Sequence, residues 1–419
     1  MQDTLKQRYD AARAKAWATP LDRFDVSDPE IFRGDTLWPW FERLRAEDPV
    51  HYCAQSQYGP YWSVTKHKDI IAVDSNHRVF SSDSEIGGIM IAEARQPRDQ
   101  SSFIALDPPV HDQQRKVIAP MFAPESLKVL EPLIRERAAK ILDELPRGEP
   151  FDFVDKVSIE LTSQMLATLF DFPFEQRRLL PRASDIILTP PGTDEQGKND
   201  MDRQVEIFNI FGQFVGLWNE RLAKPPQHDL ISMLCHNEAT RRDAPENYLG
   251  NIILLLVAGS DTTRHSITGG LLALNQNPEQ YDKLRANPAL IDSMIPEIIR
   301  WQSPVAHMRR TALKDIELGG KQIKAGEKVI MWYVSGNRDG EAIDRPDEFV
   351  IDRERPRQHV SFGFGIHRCV GMRLAEMQLR IMWEEILKRF PYIEVIGEPK
   401  RMNSNFVKGF DAMTVRIAA

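Results

Sequence analysis

Cysteine is scarce in this chain: Cys53, Cys235 and Cys369 are the only three in 419 residues. An odd number, widely spaced, argues against a disulfide framework and for a reducing compartment. Long hydrophobic runs are missing as well. The most apolar stretch, IILLLVAG at 252–259, falls far short of the roughly 18–20 residues a bilayer span needs. The first residues, MQDTLKQRYDAARAKAW, are charged throughout and hold no apolar signal-peptide core. There is no excess of positive charge: the net charge is −7, which argues against sequence-independent binding to nucleic acid. No CxxC or HxxxH spacing, no GxGxxG, no internal repeat and no linker between independent domains is visible. A soluble, cytoplasmic, single-domain protein is expected.

What is present is mainly helical periodicity. Apolar residues recur at helical spacing over 109–122, 125–144, 155–171, about 200–223, 244–275, 278–287, 291–302 and 369–389. Strand-like pieces are short: 50–54, 61–65, the region 308–334 with its Gly319-Gly320 turn, and the last residues AMTVRIA. The pattern predicts a mainly α fold with a minor β region. It is one domain over 1–419, with a β-richer part at roughly 1–105 and a helical core at roughly 106–419. Strands and helices segregate rather than alternate, so a doubly wound parallel sheet is not expected. The polar stretch TPPGTDEQGKND at 189–200 is a candidate mobile loop between two helices.

The segment FGFGIHRCVG, 362–371, places Cys369 after two glycines and at the start of a helical pattern. Four readings compete. A buried structural cysteine is the plain one. A zinc ligand would need four ligands at recognisable spacings, which are absent. A nucleophile would gain from the helix N-terminus and from His367 and Arg368. A thiolate bound to haem iron would use the same stabilisation: loop N–H groups and a helix dipole hold the anion, glycines let the backbone pass under a flat macrocycle, and Phe362 shields the sulfur.

The string FGxGxHxCxG, with Phe362, Gly363, Gly365, His367, Cys369 and Gly371, resembles the haem-binding loop of the cytochrome P-450 superfamily. That resemblance implies a triangular helical prism with haem b (iron protoporphyrin IX) between the oxygen-groove helix and the cysteine-loop helix. It makes Cys369 the proximal iron ligand, whose thiolate favours O–O cleavage.

Three further features are ordinary alone and gain meaning beside the loop. AGSDTT, 258–263, lies in the most apolar helix, where Gly costs about 1 kcal/mol relative to Ala and a buried unpaired Asp costs more. It reads either as a tolerated polar turn or as a place where Gly259 admits a ligand and Thr262 opens the helical ladder. By the resemblance, Thr262 donates a hydrogen bond beside dioxygen and Asp261 relays protons. Glu297 and Arg300 in EIIR are by spacing a common surface ion pair. The resemblance makes them a structural pair with Arg353 as third partner. His111 and Arg115, i and i+4 on one helical face, with Arg310 and His367, read alone as scattered charge. The resemblance assigns all four to the haem propionates.

Longer matches, such as RPRQHVSFGFGIHRCVGMRLAEMQLRI, resemble a soluble bacterial subgroup that hydroxylates alkanes at the terminal carbon. That subgroup reads Gly-Gly-Asn-Asp-Thr-Thr where this chain has Ala258-Gly259-Ser260-Asp261-Thr262-Thr263. The implied reaction is monooxygenation of a small apolar substrate by O2. Leu254, Val257, Ala258, Val305, Ala306, Phe406 and Val407 are expected to form a narrow uncharged pocket. A terpenoid or steroid-like substrate is the alternative within the class. Outside it stand a haem-thiolate gas sensor and a peroxide-driven enzyme, both disfavoured by the Asp261–Thr262 pair. With no flavin or dinucleotide unit left over, the resemblance implies external electron delivery by a [2Fe-2S] ferredoxin and an NAD(P)H-dependent ferredoxin reductase. The ferredoxin is expected to dock on a cationic patch of Arg368, Lys116 and Arg373. A monomer is expected.

Overall fold

In the computed structural model, residues 2–93, 95–189, 200–242 and 244–419 are described. The expected loop at 189–200 therefore lies, but for its two end residues, outside the described residues.

Helices dominate, and most lie where the periodicity places them. The helix Pro245–Gln276 is the longest of the described residues, with 32 residues, and starts with Pro at its first position, where a missing N–H costs nothing. It contacts the helices Glu160–Phe170, Leu179–Leu188, Ile291–Gln302 and Met372–Arg389. Its C-terminal half is buried almost all round, which is why its sequence shows so little amphipathic contrast. The largest apolar cluster gathers around it, with Leu256, Ile267, Leu271, Phe214, Met382 and Trp383 fully or almost fully buried.

The largest sheet among the described residues has five strands in the order Val50–Cys53, Tyr61–Val64, Lys328–Trp332, His307–Ala312, Phe80–Ser81. Only the pair Tyr61–Val64 with Lys328–Trp332 is parallel. A second sheet joins Pro150–Asp152, Thr414–Ile417 and Ile393–Val395. Strands from 50–81 and from 307–332 thus share the five-stranded sheet, and the N-terminal part is not β-richer as the sequence suggested. It holds the helices Gln2–Ala18, Trp38–Glu47 and His67–Ser75. Weak amphipathic contrast hid them: Trp38–Glu47 buries Pro39, Trp40, Phe41 and Leu44 while charged residues fill the rest.

Candidate active site

The cysteine loop is built from its glycines. Gly363 and Gly365 both have φ of 66°, left-handed backbone that other residues adopt only with strain. A Cβ on Gly365 would lie 2.6 Å from the Asp74 carbonyl oxygen, so the loop also packs too closely for a side chain. The Cys369 N–H closes the loop by donating to the Phe362 carbonyl at 2.9 Å. Helix Met372–Arg389 starts three residues later, with Gly371 as its N-cap.

Cys369 is accessible, and the space it faces is an interior cavity whose wall it shares with Thr262, Arg115 and His367. The cavity encloses about 1520 Å³ of non-protein space, its mouth included. Burial pushes the Cys369 thiol up; the N–H groups of Gly371 and Met372 and the charges of Arg115 and Arg368 oppose that shift. The donors of a helix N-terminus therefore point at the sulfur, as an anionic ligand requires. Cys53 and Cys235 are buried, their thiols pushed up to about 11 mainly by burial. Among the described residues no group of three or more His, Cys, Asp or Glu could hold a metal ion, so the zinc reading has no ligand set.

The four cations proposed for propionates converge beside Cys369. Arg115, Arg310 and His367 line the cavity. His111 is 1% exposed and its ring centroid lies 4.4 Å from that of His367. Two buried ring atoms here, His111 Nε2 and His367 Nδ1, have no hydrogen-bond partner. Their other nitrogens are engaged, by Asp112 at 2.7 Å and by the Ser82 hydroxyl at 3.0 Å. Arg115 makes no ion pair among the described residues; its Nη2 donates to the Arg368 carbonyl at 2.5 Å. Orphaned imidazole nitrogens and a half-buried guanidinium at the cavity edge fit the carboxylates of a haem. Arg310 differs from expectation, because its Nη2 is already paired with buried Asp74 at 2.6 Å. Asp74 also accepts from the Tyr333 hydroxyl at 2.9 Å and the Phe364 N–H at 2.7 Å, which fastens the cysteine loop. Nothing local in the sequence marks Asp74 for this role.

Glu297, Arg300 and Arg353 are a buried triad rather than a surface pair. Glu297 is 0% exposed and accepts from Arg300 at 2.7 Å through both oxygens, and from Arg353 at 3.0 Å. Burial pushes the Glu297 carboxyl up, but hydrogen bonds from Arg300 and Arg353 hold it below the usual range. Arg300 Nη1 donates to the carbonyls of Asn337 and Pro346, each at 2.8 Å. Asn337 in turn bonds the Val360 N–H and the Ser361 hydroxyl at 2.8 and 2.7 Å. The triad thus anchors the segment that enters the cysteine loop.

On the opposite wall, Leu254, Ala258 and Thr262 stand at i, i+4 and i+8 of the long helix and face the cavity. The Thr262 hydroxyl donates to the Ala258 carbonyl at 2.9 Å, and the helix runs on unbroken where the sequence suggested an opened ladder. Gly259 lines the cavity and also leaves room for Leu166, since a Cβ there would meet Leu166 Cδ2 at 2.7 Å. Asp261 is turned about 100° away from Thr262 by the helical step, toward the helix Leu179–Leu188. It is 1% exposed, accepts from the Ser184 hydroxyl at 2.5 Å and lies 2.6 Å from Arg264 Nη2. Burial pushes it up to about 6, with Arg264 and Ser184 opposing and Asp185 reinforcing the shift.

Of the expected pocket residues, Leu254, Ala258 and Val305 line the cavity, whereas Val257, Ala306, Phe406 and Val407 do not. Val257 packs against the main apolar cluster. Ala306 is buried with Trp332 in a second cluster. The Phe406 ring lies against His307, centroids 5.4 Å apart, and Val407 bridges its backbone to Val305. These residues support the wall from behind. Strand alternation brings Met308 to the cavity instead, and Phe103 and Ile104 reach it from a distant segment. Met308 was legible from that alternation; the other two were not.

The model of the cytochrome P450 family matches residues 148–410. The chain belongs to the cytochrome P450 family. This P450 is 36% identical over 409 residues to a linalool 8-monooxygenase of Pseudomonas putida, with 94% of this chain and 99% of that one covered. It resembles the solved structure of CYP153D17 from a Sphingomonas species at 45% identity and TM-score 0.87, over 96% of this chain and 100% of that one. A cytochrome P450-153 from Novosphingobium aromaticivorans is similar at 42% identity and TM-score 0.85, over 94% and 99%. The architecture is the P450 fold, the cofactor is haem b, and the family chemistry is monooxygenation. No helix among the described residues is long and apolar enough to cross a membrane.

Proposed function

We propose that this P450 hydroxylates the terminal carbon of medium-chain alkanes, fatty acids or similar apolar molecules, using electrons from a [2Fe-2S] ferredoxin and an NAD(P)H-dependent reductase. The observation that carries the reading is the shared cavity: Leu254, Ala258 and Thr262 face the same space as Cys369. Haem b would be held by Cys369, with His111, Arg115 and His367 at its carboxylates and Arg310 tied to Asp74 beside them, and when bound would supply oxygen activation.

The chain's own residues then have distinct tasks. Leu254, Ala258, Val305 and Met308 surround the substrate with apolar surface, worth about 0.8 kcal/mol per buried methylene. Among the described residues the charged side chains lining the cavity are Arg115 and Arg310, both beside Cys369 where the haem carboxylates would lie, so steric exclusion by the apolar wall orients the chain. Thr262 holds a hydroxyl at the cavity wall, and Asp261 behind it holds a carboxyl that takes and releases a proton near pH 6. Lys116, Arg368 and Arg373 are exposed around the sulfur side and offer a cationic surface to an acidic ferredoxin.

The relationship to the linalool enzyme favours a terpenoid as second reading. A panel of alkanes, fatty acids and terpenoids, scored by the haem spin-state shift and by product analysis, separates the two. Terminal alcohols from straight chains support the first reading; a response to terpenoids alone sinks it.

A further inference from the structure

Asn251 stands one turn before Leu254 and Leu255 on the long helix, and it is 5% exposed. Its carboxamide joins two segments far away in sequence. Its Oδ1 accepts from the Phe103 N–H at 2.9 Å, and its Nδ2 donates to Gln114 Oε1 at 2.9 Å. A backbone N–H can only donate, so the Asn251 carbonyl must face Phe103 and its amide must face Gln114. Phe103 and Ile104 belong to a single helical turn, Phe103–Ala105, and both line the cavity. Gln114 lies between His111 and Arg115 on the helix Val110–Ile118.

The preceding residue completes the clamp. A Cβ on Gly250 would lie 2.8 Å from the Gln100 carbonyl oxygen and 3.1 Å from the Ser101 carbonyl carbon. The strand of chain at 100–102 therefore rests directly on the helix backbone at Gly250, and Asn251 holds the next residue. The Phe103 ring in turn meets His111 edge-on, with centroids 6.3 Å apart.

We propose that Asn251 is a positioning residue for substrate selectivity: with Gly250 it pins the Phe103–Ile104 turn as the roof of the substrate cavity. The two side chains bound the cavity that Ala258 also faces, and the hydrogen bond from the Phe103 N–H to Asn251 fixes the turn that carries them. This rests on the apolar-substrate reading above.

Three variants, each studied as haem-loaded protein, test it. Asn251→Leu removes both hydrogen bonds. Gln114→Leu removes only the one to the helix bearing His111. Gly250→Ala leaves Asn251 in place but pushes a methyl against Gln100. Alanine favours the helix over glycine, so this variant carries the test if Asn251→Leu fails to fold. Hydrogen exchange in residues 98–105 should quicken in Asn251→Leu and Gly250→Ala and stay at the parent rate in Gln114→Leu. The first two should also change the preferred chain length in spin-state titrations and shift the terminal-to-internal alcohol ratio about tenfold, the scale on which an apolar pocket distinguishes one methylene. Unchanged exchange, or faster exchange with the parent's selectivity, overturns the proposal. A parent protein that responds to no apolar chain overturns the substrate reading instead.

Discussion

Ser184 donates to Asp261 at 2.5 Å across the crossing of two helices, and this contact ties the buried acid to the helix Leu179–Leu188. Arg264 joins the same cluster, 2.6 Å from both Asp261 and Asp185. Serine and arginine both favour the ionised carboxyl, while burial disfavours it more strongly.

The first prediction concerns that balance. Removing a partner of the charged form must raise the pKa further. The coupling of NADH to product should therefore show an inflection near pH 6 in the parent protein, and Ser184→Ala should move it upward. Thr262→Ala should bind substrate normally yet divert NADH to hydrogen peroxide. Stability gives a second readout. The folded-state pKa is raised, so this group's stabilising contribution is full below 3.8 and is lost as pH rises through about 6. Asp261→Asn should flatten that part of the curve of Tm against pH. An identical slope and unchanged coupling would remove Asp261 from proton handling.

A second prediction separates the cysteines. Reduced protein with carbon monoxide should show the red-shifted Soret band of thiolate ligation. Cys53→Ser and Cys235→Ser should retain it, because both thiols are buried away from the cavity with pKa values near 11. Cys369→Ser should abolish it. Persistence of the band in Cys369→Ser would reassign the ligand.

The third follows from the triad. Glu297 neutralises two guanidinium groups, and all three side chains are at most 8% exposed. Glu297→Gln leaves two buried cations without a counter-charge, a change that costs about 3–5 kcal/mol. Tm and haem content should fall together. A variant with parental Tm would mean that solvent reaches the site.

How much of this was legible in the sequence depends on how local each cause is. The cysteine loop was readable because glycine, histidine and cysteine within ten residues do one job together. The long helices were readable because their apolar spacing reports burial. Asp74 was not, because a lone aspartate carries no sign that Arg310, Tyr333 and Phe364 will converge on it. The roof residues Phe103 and Ile104 were missed for the same reason: they reach the cavity through a chain crossing at Gly250 and Asn251. Helical phase placed Leu254 and Ala258 correctly on the wall. It misplaced Val257, since one step of about 100° turns a side chain from the cavity into the core.

A fourth prediction tests electron delivery. Arg368, next to Cys369 in the chain, and Arg373, in the first turn of the helix that follows, are exposed, and Lys116 is exposed on the helix that carries Arg115. An acidic ferredoxin docking there should reduce the protein more slowly as ionic strength rises, because exposed charges are screened over about 10 Å at 0.1 M salt. Arg368→Glu should weaken docking further. Rates indifferent to salt and to the reversal would place the donor elsewhere.

The last prediction concerns Ala258. Its methyl faces the cavity one turn before Thr262. A methyl at this point narrows the space beside the Thr262 hydroxyl and restricts how far a chain can bend toward the sulfur side. Only a slim chain end then reaches the reacting position, and the terminal methyl is presented although its C–H bond is stronger than an internal one. Ala258→Gly removes that restriction. Glycine in mid-helix costs about 1 kcal/mol of stability, too little to unfold the protein. The variant should accept bulkier substrates and release a larger share of internal alcohols, measured by product analysis on straight and branched chains. If both the substrate range and the alcohol ratio stay at parental values, Ala258 is not the residue that shapes the reacting end of the pocket.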